Sequence, residues 1–186
     1  MDLATNAAEK QWSLHFDDVV IPAENIVGEE GKGVNYMFHA LNPERMTVAS
    51  LCVGRGDFVL GKAVEYAKIR APFGAPIGSY QSIQHPLAYA KTQLEAAKLM
   101  RDHAMSLYDA GKDCGAEANM AKIVASEAFY KAAEIAMQAH GGSSMDWNND
   151  VVLHFNASRL VQVAPVSNNM ALNFISERVL GLPKSY

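Results

Sequence analysis

Two cysteines in 186 residues, Cys52 and Cys114, are too few and too far apart for a disulfide framework. They match no C-x-x-C metal or redox spacing, so they read as small buried apolar side chains, and reduced thiols suit a cytoplasmic or organelle-matrix setting. Excess positive charge is also lacking: the net charge is -4, which leaves no basic face for nucleic acid. No stretch approaches the roughly 18 uninterrupted apolar residues of a transmembrane helix. Residues 1–10 lack the basic segment and apolar run of an export signal. Histidines at 15, 39, 85, 103, 140 and 154 form no H-x-x-x-H or H-E-x-x-H pair, so no metal site is expected. G-x-G-x-x-G and G-x-S-x-G are absent. Gly56 to Lys62 misses a phosphate-binding loop because Ala63 stands where a magnesium-binding hydroxyl belongs.

What is present is an ordinary globular balance, 49% hydrophobic and 19% charged, in a chain long enough for one substantial core. Trp12, Leu14 and Phe16 alternate with polar residues, which predicts a strand over Gln11 to Phe16. Asp17 to Gly33, with Pro22, Gly28, Gly31 and Gly33, predicts a loop leading to a helix. Strand signals then stop. A long helix is predicted from about Val34 to Ile69, begun or kinked by Pro43. The two prolines and two glycines of Arg70-Ala-Pro-Phe73-Gly-Ala-Pro-Ile77-Gly predict an ordered loop, with a second helix from about Ser82.

Apolar residues at steps of three and four mark the second helix (Leu87, Ala90, Leu94, Ala97, Met100, Ala104, Leu107), which Gly111 stops. The third shows the same stripe at Met120, Val124, Ala128, Ala132, Ile135 and Ala139, and ends at Gly141 and Gly142. A shorter helical piece is expected near Asp150 to Arg159. A last helix is capped by Ser167 and stopped by Gly181 and Pro183. Helices joined by short loops make a mainly α fold, an antiparallel up-and-down four-helix bundle over residues 31–186. Residues 1–30 read as a short β remnant and linker, too short to form a sheet alone.

Three local patterns suit chemistry. Asn42-Pro43-Glu44-Arg45 places a carboxylate beside a guanidinium at the expected start of the long helix, where the helix dipole favours negative charge. Glu44 is a candidate base, yet an acid in a first helical turn needs no chemistry to explain it. Arg70 and Phe73 offer a cationic fork and an aromatic face suited to a phosphate-bearing aromatic ligand, or equally a loop arginine beside an anchoring phenylalanine. Gln138-Ala-His140-Gly141-Gly142 is a glycine-rich turn whose amides can approach an anion, or a plain helix stop.

Taken in order, these motifs resemble the C-terminal part of the acyl-CoA dehydrogenase family. Phe16-Asp-Asp-Val-Val-Ile-Pro22 with Gly28-Glu-Glu-Gly-Lys-Gly33 looks like that family's exit from its central β domain. Arg70 to Ile77, then Gln81 and Gln84, looks like its flavin-facing loop; Gln138 to Gly142 like its glycine-rich flavin motif; Arg178-Val-Leu-Gly181 like its closing helix. The resemblance implies an FAD-dependent α,β-dehydrogenation of an acyl-CoA thioester. Cofactor contacts would come from Arg70, Phe73, Gln81, Gln138, Gly141 and Gly142, and substrate contacts from Asn42 and Arg45.

The base is the deciding residue. Most members carry a Glu-Gly-Thr motif before the last helix, where this chain reads Ala164-Pro165-Val166-Ser167. A minority, similar to isovaleryl-CoA and long-chain dehydrogenases, place the glutamate before an arginine on the first bundle helix, which matches Glu44-Arg45 and makes Glu44 the expected base. Asn156-Ala157 stands where many relatives have Arg-Asp. The resemblance also implies a dimer or tetramer through the bundle and an electron acceptor such as electron-transfer flavoprotein. With the family's flavin-covering domains outside these residues, the chain by itself is expected to hold FAD weakly and to be inactive alone. A different class of function, a non-catalytic bundle acting as an oligomerisation or interaction module, would keep the fold without the chemistry.

Overall fold

The computed structural model of the chain describes Thr5 and residues 11–184, and among these the regular structure is helical. The five helices are α1 (Gly33–Ile69), α2 (Gln81–Asp109), α3 (Gly115–His140), α4 (Val151–Leu160) and α5 (Asn168–Phe174). A π-helical turn, Ile175–Val179, continues α5.

The chain folds up and down. Lys91 of α2 meets Asp57 of α1, and Gly78 just before α2 lies against Ala67 near the end of α1, so α1 and α2 are antiparallel. Tyr66 near the end of α1 stacks on His140 at the end of α3, so those two run in parallel. The fourth position is filled by α4 and α5 in succession: Phe155 packs on Tyr130, then Asn168 bonds to Ser126, descending along α3. A turn at 161–167 with Pro165 in it divides this fourth helix, because proline cannot supply the backbone N–H that a continuous helix needs there. The four-helix expectation thus holds with its last member broken in two.

Glycine and cap residues set the ends. Gly111 and Gly141 take positive φ (66° and 55°) where α2 and α3 stop, a conformation cheap only without a Cβ. The Ser167 hydroxyl accepts from the Met170 amide and satisfies one orphan donor of α5, worth about 1 kcal/mol.

α3 is the centre of the bundle and is buried on nearly all sides. Its alanines 118, 121, 125, 128, 132, 133, 136 and 139 let neighbouring helices approach, around a fully enclosed Phe129. α1 and α2 close on each other at Gly56, where an added Cβ would overlap the buried Leu94. Gly56→Ala therefore overpacks this crossing and is expected to cost about 1–3 kcal/mol, read as a fall of several degrees in the melting temperature by circular dichroism.

Two sequence expectations are corrected. Gln11 to Phe16 is not a strand: Trp12, Leu14 and Phe16 are each more than 70% exposed, and among the described residues no second strand offers the ladder hydrogen bonds that a strand requires. Pro43 lies inside α1 rather than at its start. Residues 33–40 are exposed, and the first buried residue of α1 is Arg45, so the helix begins about three turns before it enters the bundle.

Candidate functional site

The sequence-predicted residues fall into two groups at opposite ends of the bundle. Asn42, Glu44 and Arg45 sit where α1 enters it. Arg70, Phe73, Gln81, Gln138, Gly141 and Gly142 lie at the other end. Glu44 and Arg70 are separated by 26 helical steps, or about 39 Å along α1.

At the first end, Glu44 is exposed and Arg45 is buried at 3% exposure. One turn of helix explains the contrast, since adjacent residues point about 100° apart. Arg45 Nη1 donates to Asn42 Oδ1 at 2.9 Å, its guanidinium lies 6.0 Å from the Phe38 ring centroid, and its Nε has no acceptor among the described residues. Burial pulls the guanidinium below its ordinary pKa, and neighbouring Glu44 partly offsets that. The helix-dipole argument for Glu44 is corrected here: three turns into α1 it lies beyond the first turn, where that field acts.

Behind Arg45 is a buried polar cluster that the sequence pattern did not single out. Lys122 of α3 is fully enclosed, and its Nζ donates to Asn168 Oδ1 at 2.7 Å. Asn168 Nδ2 donates to Ser126 Oγ at 3.1 Å. Desolvation lowers the Lys122 pKa to about 8, with Cys52 opposing and Arg45 adding to the shift. The same burial pushes the Cys52 thiol up to about 12, against the pull of Lys122 and Arg55. The available signal was a lysine and two polar residues, Asn119 and Ser126, inside an otherwise alanine-rich helix.

At the far end, Gln138, Gly141 and Gly142 line a groove of about 870 Å³ with Ile83, Pro86 and Tyr89 of α2. Both glycines have open space where a Cβ would stand, so a ligand can reach their backbone. His140 is buried beneath them, its ring stacked on Tyr66 at 4.4 Å and its Nδ1 donating to Ala136 O at 2.8 Å. Arg70 and Phe73 stand exposed on the loop before α2, with Gly74 at φ 83° turning the chain between them and Ile77. They do not line the groove, and Gln81 adjoins it one residue before Ser82. A groove with apolar walls and accessible glycine backbone can receive a flat ring system that carries an anionic group. Among the described residues no three His, Cys, Asp or Glu side chains come together as a metal site.

The comparisons with known proteins fall on this same frame. The model of the acyl-CoA dehydrogenase C-terminal domain matches residues 31–180, and the chain belongs to the acyl-CoA dehydrogenase family. Acyl-CoA dehydrogenase FadE12 of Mycobacterium tuberculosis is 43% identical over 180 residues, covering 96% of this chain and 46% of its own. Butyryl-CoA dehydrogenase from Megasphaera elsdenii superposes with a TM-score of 0.85 at 34% identity, over 89% of this chain and 43% of that one. PigA, solved with FAD and proline, superposes with a TM-score of 0.86 at 30% identity, over 90% and 43%. The chain thus spans about half the length of the curated relatives it matches. Among the described residues, no helix is long and apolar enough to cross a membrane.

Proposed function

We propose that this chain is the C-terminal catalytic part of an FAD-dependent acyl-CoA dehydrogenase in which Glu44 removes the α proton of the thioester. The observation that carries the reading is the Glu44–Arg45 step: an exposed carboxylate directly before a buried arginine, where α1 enters a bundle that matches the family. Ala164 to Ser167 supplies no carboxylate at the more common position.

Bound FAD supplies a hydride acceptor. The rest is done by side chains of this chain. Glu44 accepts the proton on its carboxylate. Asn42 and Arg45 present hydrogen-bonding groups to the thioester's pantetheine or nucleotide arm, Asn42 being held by Arg45. Arg70, Phe73, Gln81, Gln138, Gly141 and Gly142 grip the dinucleotide at the far end.

The separation of about 39 Å along α1 exceeds the reach of one extended FAD, so the base and the dinucleotide grip of a single chain serve different flavins. This favours a homo-oligomer, a dimer or tetramer, whose copies complete one another's sites. Reoxidation falls to a partner such as electron-transfer flavoprotein, in the cytoplasm or an organelle matrix. Residues 1–30 in this reading are the exit from the preceding β domain, and their exposed Trp12, Leu14, Val20 and Val27 are faces which that domain covers.

The reading makes a mixing prediction. Glu44→Gln and Arg70→Ala proteins, each inactive or nearly so in acyl-CoA-dependent dye reduction, regain activity when unfolded and reassembled together. A mixed pair carries one site with Glu44 from one copy and Arg70 from the other. Mixtures as inactive as the parents would place both residues at one flavin and contradict the geometry. A non-catalytic assembly module is the second reading, favoured by the exposed α1 stripe of Leu51, Gly54, Phe58, Gly61 and Ile69. Reassembly without recovered turnover in any combination, wild type included, supports that reading.

A further inference from the structure

Two cations are buried at the Glu44 end of the bundle, and neither is paired with a carboxylate among the described residues. Arg45 has Asn42 as its acceptor, and Lys122 has Asn168. Burial of an ammonium without a carboxylate is costly, so its presence inside the first third of α3 calls for a compensating role. The hydrogen bonds show what the ammonium touches. Asn168 is the first residue of α5, directly after the Ser167 cap, and its amide also bonds to Ser126. A single buried group therefore joins the central helix to the first turn of the last one. The 161–167 turn that precedes this point is where most of the family carries its base and where this chain has none. Phe174 of α5 and Asn42 of α1 both close on Gly115, at the start of α3, so α5 and the Glu44 segment share one end of the bundle.

Resting on the function proposed above, we propose that Lys122 is a positioning residue for the base: its ammonium, bonded to Asn168, ties the first turn of α5 to α3 beside Arg45 and so fixes the wall against which Glu44 works. The charged and titratable groups facing Lys122 are Cys52 and Arg45 from α1, while α5 presents the neutral Asn168 and its own helix the hydroxyl of Ser126. Neither α1 group accepts a charge-assisted bond at neutral pH, which leaves Asn168 as the anchor. Loss of the ammonium proton, near pH 8, weakens that bond without removing it.

The test uses two independent readouts on the FAD-loaded enzyme that carries this chain together with the family's flavin-covering domains, as wild type, Lys122→Met and Asn168→Asp. Amide hydrogen exchange over residues 168–174 reports the tie itself: in Lys122→Met it quickens about tenfold, and in Asn168→Asp, which offers the ammonium a carboxylate, it stays slow. Anaerobic flavin reduction by butyryl-CoA or isovaleryl-CoA reports its consequence: Lys122→Met loses about tenfold in the limiting rate with the half-saturating concentration within about twofold, while Asn168→Asp keeps the rate. Wild-type protein shows a downward step in rate as pH rises through about 8 that Lys122→Met lacks and Asn168→Asp shifts upward. Unchanged exchange and unchanged rate in Lys122→Met overturn the proposal. Flavin that no thioester reduces even in wild-type protein defeats the proposed activity instead, and with it the role assigned to Lys122, so the two failures are distinguishable.

Discussion

Under the proposed function, Glu44→Gln is expected to slow flavin reduction by an acyl-CoA thioester about 10²–10⁴-fold, the range that a positioned general base contributes, and to leave thioester binding within about twofold. Glutamine has the size and hydrogen-bonding reach of glutamate but no carboxylate to take a proton. Glu44 is exposed and makes no ion pair among the described residues, so the exchange removes no packing and the fold is unaffected. Arg45→Ala is expected to behave differently. Its guanidinium is buried on Phe38 and bonded to Asn42, so its loss opens a hole at the bundle entrance and lowers stability as well as activity. Anaerobic stopped-flow spectra of the two variants, with melting curves alongside, separate a missing proton acceptor from a damaged site. A Glu44→Gln protein that reduces flavin at the wild-type rate places the base elsewhere.

Stability is expected to rise as pH is raised from 8 towards 10, and to fall again at higher pH. The sign follows from two enclosed groups. Lys122 has a folded pKa of about 8 against 10.5 for a free lysine, so between those values the unfolded chain binds the extra proton and raising pH favours the fold. Such a depression corresponds to about 3 kcal/mol over the full window. Cys52 acts in the opposite direction. Its folded pKa of about 12 lies above the ordinary 9.0, so its contribution is present below pH 9 and is lost as pH rises from there towards 12. Lys122→Met removes the rising limb and Cys52→Ala the falling one, in urea titrations run across pH 7.5 to 11. A wild-type profile that Lys122→Met leaves unchanged would show that the ammonium is not desolvated in solution.

The helices were legible because their punctuation is local. Gly111, Gly141 and Gly181 supply positive φ at helix ends, and Ser167 caps α5 with its own hydroxyl, each a property of the residue rather than of its neighbours. The strand expected at Gln11 to Phe16 failed for the converse reason. Alternation marks a face, but a strand exists only with a partner, and none lies among the described residues. Glu44 was singled out as the expected base only through its neighbour Arg45 and the resemblance to the family, because its spacing alone suits a plain helical acid equally well. The dipole argument attached to it failed because α1 extends three turns further back than the bundle it serves.

Lys122 escaped the pattern because a stripe of apolar residues assumes one buried face. α3 is central, and packing by α1, α2, α4 and α5 buries its polar positions Asn119, Lys122 and Ser126 as well. Which lysine is enclosed is a tertiary fact. The separation of the candidate residues between two ends, by contrast, needed only the length of α1, with Glu44 on that helix and Arg70 directly after its last residue.

The central claim is tested most directly by following the flavin spectrum when a saturated acyl-CoA is added without oxygen to the FAD-loaded enzyme that carries this chain together with the family's flavin-covering domains. The account predicts bleaching of the oxidised flavin together with one equivalent of α,β-unsaturated thioester, both abolished on the time scale of the wild-type reaction by Glu44→Gln. Flavin that stays oxidised through a panel of short, branched and long acyl-CoA thioesters would contradict it.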